Sequence, residues 1–336
     1  MIESFGSGAE GGKCLLMHQN RRFSEETQAV STFRTAFAAA LILGLPAPAL
    51  AVGPEKAADP VQPVLVQLQA DRSGPARIEL SGRLRMLSQR IVSSACHAAA
   101  GIVPEMSAPM LRIASDEFDR ILGALRFGDA KLSILSPEES GKVKAEIAAV
   151  REVWDPMYAQ IQAYGNRPIS IDLANSLSDQ AVVLLDRTMM LYNHASSEYG
   201  NPALMLRPDA MLVDLAGRQR TFAQQISKNA CLTAEGDTTV LAELKETIEV
   251  HGTGLQALRY GLPEAGILPP PTDAIAETLD EAIADWNTVE PMLARAVAGE
   301  QLTPAERQAV FVAGYGLGAK MDFLAWRYIQ HSKNNS

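Results

Sequence analysis

Arg85, Gln89, Val92 and Cys96 follow one another at intervals of four, three and four, which places them on one face of an α-helix. Arg220, Gln224, Ser227 and Cys231 repeat that spacing farther along the chain. An arginine on a partly buried stripe is costly unless something neutralises it. Two guanidiniums facing each other at about 6 Å repel by roughly 3 kcal/mol at an effective dielectric near 20. A small oxyanion between them turns repulsion into attraction, because forked N–H donors match planar oxygens. Gln89 and Gln224, one turn along, can add amide donors. The competing arrangement pairs each arginine with an Asp or Glu of its own bundle. Duplication favours the anion, since these residue types persist where the flanks have drifted. Removing either arginine is then expected to end anion binding and leave the fold intact or slightly stabilised.

The two runs are copies. GRLRMLSQRIVSSAC (82–96) returns as GRQRTFAQQISKNAC (217–231), 135 positions on. Gly82 and Gly217 open the copies, and Cys96 and Cys231 close them. A chain carrying such a repeat is one unit built twice. Arg83 and Arg218 stand about 200° around the helix from Arg85 and Arg220, so they point elsewhere, to solvent or a carboxylate. In an oxidising compartment Cys96 and Cys231 invite a disulfide. The alternative, two buried free thiols, is narrowly preferred on sequence grounds.

Helical periodicity must hold these residues in place. Apolar positions 78, 80, 84, 87, 91 and 95 make one stripe of a helix over 76–100, with Pro75 in its first turn. Further helices are expected at 109–127, from a capping box at Ser136–Glu139 to about Gly165, and at 171–199. The order then returns at 208–232, 238–260, 273–298 and from a capping box at Thr303–Glu306 to about Gln330. LGALRFG (122–128) is echoed by LQALRYG (255–261), and Trp154 by Trp286, both expected as inter-helix anchors. Nothing alternates with a strand period for long enough to build a sheet. The fold class is all-α: two tandem four-helix bundles related by a pseudo-twofold, 75–200 and 208–332, joined by a linker at 201–207.

The 336 residues are 47% hydrophobic but only 6% aromatic, which suits helices and is enough for one large core or two medium ones. A net charge of −9 excludes nucleic acid as a general partner and leaves anion capture to a local site. Residues 34–51, RTAFAAALILGLPAPALA, read as a secretory signal: a charged end, a short apolar core, a proline break and an Ala-Leu-Ala cleavage site. Residues 1–51 are therefore expected to be leader and signal, cleaved after Ala51, and 52–74 a loose leader. The mature protein is expected in the periplasm.

His97, His194, His251 and His331 lack metal-binding spacing, and Cys96-His97 diverge on a helix, so no metal site is expected. No nucleophile elbow or phosphate loop occurs. The pairs Glu138-Glu139 and Asp280-Glu281 read as helix-start or solvated charges. Met86, Met106, Met110, Met189, Met190 and Met321 read as core filler. Neither an enzyme nor a cofactor is indicated.

GRLRMLSQRI (82–91) resembles the signature of the N-terminal sensor family of type IV pilus methyl-accepting chemotaxis transducers. It is also similar to the periplasmic region of nitrate/nitrite sensor kinases. The Gly-x-Leu-Arg-Met spacing falls on Gly82, Leu84, Arg85 and Met86. The second copy keeps Gly217 and Arg220 but has Gln219 and Thr221 at the intervening positions, and Gln225 in place of Arg90. The resemblance spans roughly residues 75–332 as two domains. In those kinases two four-helix domains meet as a homodimer, and one arginine from each first helix clamps the anion. The resemblance thus implies a small inorganic anion, nitrate or nitrite, held between Arg85 and Arg220 within one polypeptide. Members usually sit between membrane spans and drive a kinase or methyl-accepting module. This chain shows neither a second span nor a signalling domain, which implies a separate membrane-bound transducer or kinase as partner. The alternatives are a helical adaptor that has lost the ligand, or a redox-responsive protein using Cys96 and Cys231.

Overall fold

The structure, a computed structural model, describes residues 61–165, 167–200 and 207–335. The leader, the signal with its cleavage after Ala51, and all but the last residue of the 201–207 linker lie outside the described residues. Among the described residues eight α-helices follow in order: α1 (Val61–Ala99), α2 (Pro104–Phe127), α3 (Gly141–Tyr164), α4 (Ile171–Tyr199), α5 (Arg207–Ala234), α6 (Leu241–Tyr260), α7 (Asp273–Val297) and α8 (Pro304–Asn335). Among the described residues there is no strand, only the isolated bridges Asp129–Ile134 and Leu262–Ile267. These bridges hold matching loops after α2 and α6. In each copy a glycine with positive φ, Gly128 at 89° and Gly261 at 80°, ends the helix and turns the chain into the loop.

Each half buries its own core. Leu84, Phe118, Trp154 and Leu184 belong to the first, and Ile226, Leu255, Trp286 and Leu317 to the second. The tryptophans anchor both: Phe118 stacks on Trp154 at 4.2 Å, and His251 meets Trp286 edge-on at 4.7 Å. Polar caps fix the helix starts, since Ser170 accepts from Leu173 N and Thr272 from Ile275 N. The capping box at Thr303 forms, with Thr303 N donating to Glu306 at 2.8 Å and Glu306 N to Thr303 Oγ1 at 3.3 Å.

The halves join where α1 packs along α5. Ser93 Oγ lies 2.8 Å from Ser227 Oγ, and Cys96 is disulfide-bonded to Cys231. Residues meet their own repeat equivalents, or nearly so, which means that the two helices run parallel about a pseudo-twofold. This corrects the preference for free thiols: a residue on such an axis necessarily faces its counterpart. The bridge also removes Cys96 as a metal ligand.

Two other expectations change. The segment 52–74 is not wholly a loose leader, because residues 61–74 extend α1 and put Pro75 inside the helix. Pro63 lies in the first turn, where a missing N–H costs nothing. Gly74 lets Tyr199 approach closely: a Cβ there would stand 3.2 Å from that of Tyr199. The capping box at Ser136–Glu139 does not form. Ser140 caps α3 instead, and Glu138 turns inward, ion-paired to Arg77 at 2.9 Å and accepting from the Tyr199 hydroxyl. Glu138 is thus a buried tie between the base of α1 and the end of α4, not a solvated charge.

Candidate functional site

The seam between α1 and α5 is polar for a protein interior. Arg85, Gln89, Arg220 and Gln224 are all buried, with Arg85 and Arg220 5% and 4% exposed. Gly82 brings the arginines to one spot. A Cβ there would lie 3.1 Å from Arg220 Nη2 and 3.5 Å from Arg85 Nη2, so both guanidiniums close on the same stretch of bare backbone. Its counterpart Gly217 faces open space. The glutamines do not join them: Gln89 Nε2 donates to Ser88 Oγ, and Gln224 Nε2 to the carbonyl of Gly314 on α8. The oxygen of Gln89 has no partner.

The two arginines differ in what they touch. Arg220 donates to Asp322 on α8 at 2.5 Å and to Glu79 on α1 at 3.2 Å. Burial opposes its charge, but Asp322 and Glu79 outweigh burial and raise its pKa. Asp322 is burdened by burial too, yet Arg220, Arg83 and Arg90 hold its carboxyl below the usual range. Arg220 therefore follows the ion-pair arrangement. Arg85 does not. Among the described residues no carboxylate reaches it within ion-pair distance; it lies over the Tyr192 ring at 3.9 Å, with Nη1 3.8 Å from Met189 Sδ. Its Nε is buried without a partner. Burial lowers its pKa, and Arg220 pushes the same way against the pull of Tyr192 and Asp214. A buried cation lacking a counter-ion, with donors unused, is the arrangement that takes up an anion.

Arg83 and Arg218 point away, as expected, to Glu117 at 2.6 Å and Asp214 at 2.7 Å. Arg90 stacks on Tyr315 with its Nε unpartnered. Sequence reasoning missed Tyr192, Met189, Asp322, Glu79 and Asp214. One signal was available: Glu79 and Asp214 are both acidic and stand 135 positions apart, the same interval as the arginines. Met189 corrects the core-filler reading, being 41% exposed at the rim of the Arg85 site. Among the described residues no group of three or more His, Cys, Asp or Glu could hold a metal, and no helix is long and apolar enough to cross a membrane.

The family model for the N-terminal region of type IV pili methyl-accepting chemotaxis transducers matches residues 67–179 and again residues 205–311. The two matches fall on the two bundles. No curated protein matches the chain.

Proposed function

Because the chain belongs to the type IV pili methyl-accepting chemotaxis transducer N-terminal family, in two tandem copies, we propose that it is a sensor whose seam binds a small oxyanion, nitrate or nitrite first among them. The coarse part of this reading, a sensory domain of transducer type, comes with the family. The ligand reading is supported by one observation: Arg85 is buried, lacks a carboxylate, and converges with Arg220 on Gly82. An anion there would accept from Arg85, with Arg220 across the seam. We place the mature protein in the periplasm after cleavage at Ala51, reporting to a separate membrane-bound transducer or kinase.

Isothermal titration of the dialysed protein with nitrate, nitrite, sulfate and chloride tests this. Saturable one-to-one binding of nitrate or nitrite is expected, and Arg85→Ala should abolish it while leaving stability unchanged or slightly higher. Arg220→Ala should also weaken binding, but it strands Asp322 and Glu79. The expected cost is about 3 kcal/mol of stability, the low end for breaking a buried pair, because both carboxylates are partly exposed. This replaces the expectation that either arginine could be lost without harm. The Arg220 pairs also favour a second reading, an adaptor in which Asp322 and Glu79 have taken the ligand's place. Silence with all four anions would select the adaptor.

A further inference from the structure

The register of α4 against α8 exposes an asymmetry at the seam. The buried stripe Leu184, Thr188, Leu191 and Ala195 of α4 recurs in α8 as Leu317, Met321, Leu324 and Tyr328, 133 positions on. LGALRFG (122–128) and LQALRYG (255–261) are related by the same interval. In that register Asp322 corresponds to Met189. The two residues also do corresponding jobs. Asp322 Oδ1 sits 2.5 Å from Arg220 Nη1, and Met189 Sδ sits 3.8 Å from Arg85 Nη1. One half of the molecule meets its arginine with a carboxylate and the other half with a thioether. The second acidic pair is uneven as well. Glu79 reaches Arg220, whereas its repeat partner Asp214 is taken up by Arg218 and by the Tyr192 hydroxyl at 2.8 Å.

We propose that the Asp322/Met189 asymmetry makes the seam a selector for singly charged anions, with Asp322 and Met189 as the positions that set ligand charge. This rests on the anion reading above and deepens it. Arg83 with Glu117 and Arg218 with Asp214 pair off away from the site, which leaves three arginines, 85, 90 and 220, against two carboxylates, Glu79 and Asp322. The excess is one positive charge. Arg90 also lacks an ion pair but has the charges of Asp322 and Glu117 close by, whereas at Arg85 the residue in the place of Asp322 is Met189, which offers none. A monoanion closes the balance. A dianion overshoots it and leaves an uncompensated charge in a site largely closed to water, which is strongly unfavourable. A symmetric pair of unpaired arginines would carry no such bias. Duplication within one chain lets the halves diverge, an option closed to two identical subunits.

Reciprocal substitutions test this. Met189→Asp gives Arg85 the partner that Arg220 already has, and since Met189 is exposed at the rim the change leaves the fold in place, checked by thermal melting. Nitrate or nitrite affinity should fall at least tenfold. Asp322→Asn keeps the side-chain shape and leaves Glu79 on Arg220, so the seam gains one positive charge. Sulfate, silent with the wild type, should bind saturably, or the preference for nitrate over sulfate should shrink at least tenfold. Wild-type binding of nitrate or nitrite with unchanged affinity in Met189→Asp, or unchanged selectivity in Asp322→Asn, overturns the selector and leaves the anion site standing. Silence of the wild type and both variants toward nitrate, nitrite and sulfate overturns the anion site, and the selector with it.

Discussion

Removing the Cys96–Cys231 bridge as C96S/C231S should cost about 5 kcal/mol of stability, measured by guanidinium unfolding against the oxidised wild type. The bridge spans 135 residues and ties the first helix of one bundle to the first helix of the other. A cross-link over so long a loop removes a large part of the denatured chain's entropy, so its loss acts chiefly by freeing the unfolded state. The native state should tolerate the change. Serines at 96 and 231 would face each other as Ser93 and Ser227 do one turn below, and can hydrogen-bond in the same way. The bridge matters all the more because the seam it closes is polar: each bundle keeps its own core, and the facing helices contribute arginines, glutamines and serines between them. The variant should therefore part along α1 and α5 before either core melts, seen as an unfolding transition in which near-UV signals from Trp154 and Trp286 outlast the contact between the halves. A loss below about 2 kcal/mol would mean that the denatured chain already holds its halves together, leaving little entropy for the bridge to remove.

Most of this architecture can be read in the chain because each helix carries its own punctuation. Ser170 and Thr272 sit where an N-cap must, Thr303 and Glu306 form the reciprocal pair, and Gly128 and Gly261 stop α2 and α6. Where signals misled, a tertiary contact had claimed the residue. Glu138 had the spacing of a helix start, but Arg77 drew it inward, and Ser140 took over the cap. The candidate site was only half legible. Arg85 and Arg220 stand out because they repeat within one conspicuous helix, at one interval. Their unequal partners do not stand out, since Met189 and Asp322 lie on helices whose sequences have diverged and whose interval has slipped to 133. LGALRFG and LQALRYG carry that interval in the sequence, but only the shared burial pattern extends it to α4 and α8, and burial is a property of the folded chain.

Below neutral pH the chain should lose stability steeply, at about 2.7 kcal/mol per pH unit between pH 6.5 and about 4, from two histidines alone. His251 is fully buried in the second core with neither ring nitrogen partnered, and burial lowers its pKa to about 3. His97 lies beside the disulfide, its ring 4.5 Å from Phe311; burial lowers its pKa to about 4, although Nδ1 donates to the Ser93 carbonyl. As pH falls through 6.5 the unfolded chain takes up a proton on each ring, and the folded chain does so only near 4 and 3. The unfolded state thus binds more protons throughout that window, so stability is fully present above pH 6.5 and drains away beneath it. By pH 5 the two together should have removed about 4 kcal/mol. The first repeat shows how to separate them. Phe118 occupies the place that His251 takes 133 positions later, against the equivalent tryptophan. His251→Phe restores the pairing of the first repeat against the equivalent tryptophan, and should halve the acid slope in urea unfolding between pH 6.5 and 4. An unchanged slope would mean that water reaches the His251 ring in the folded state, and that the second bundle opens locally before the whole chain unfolds.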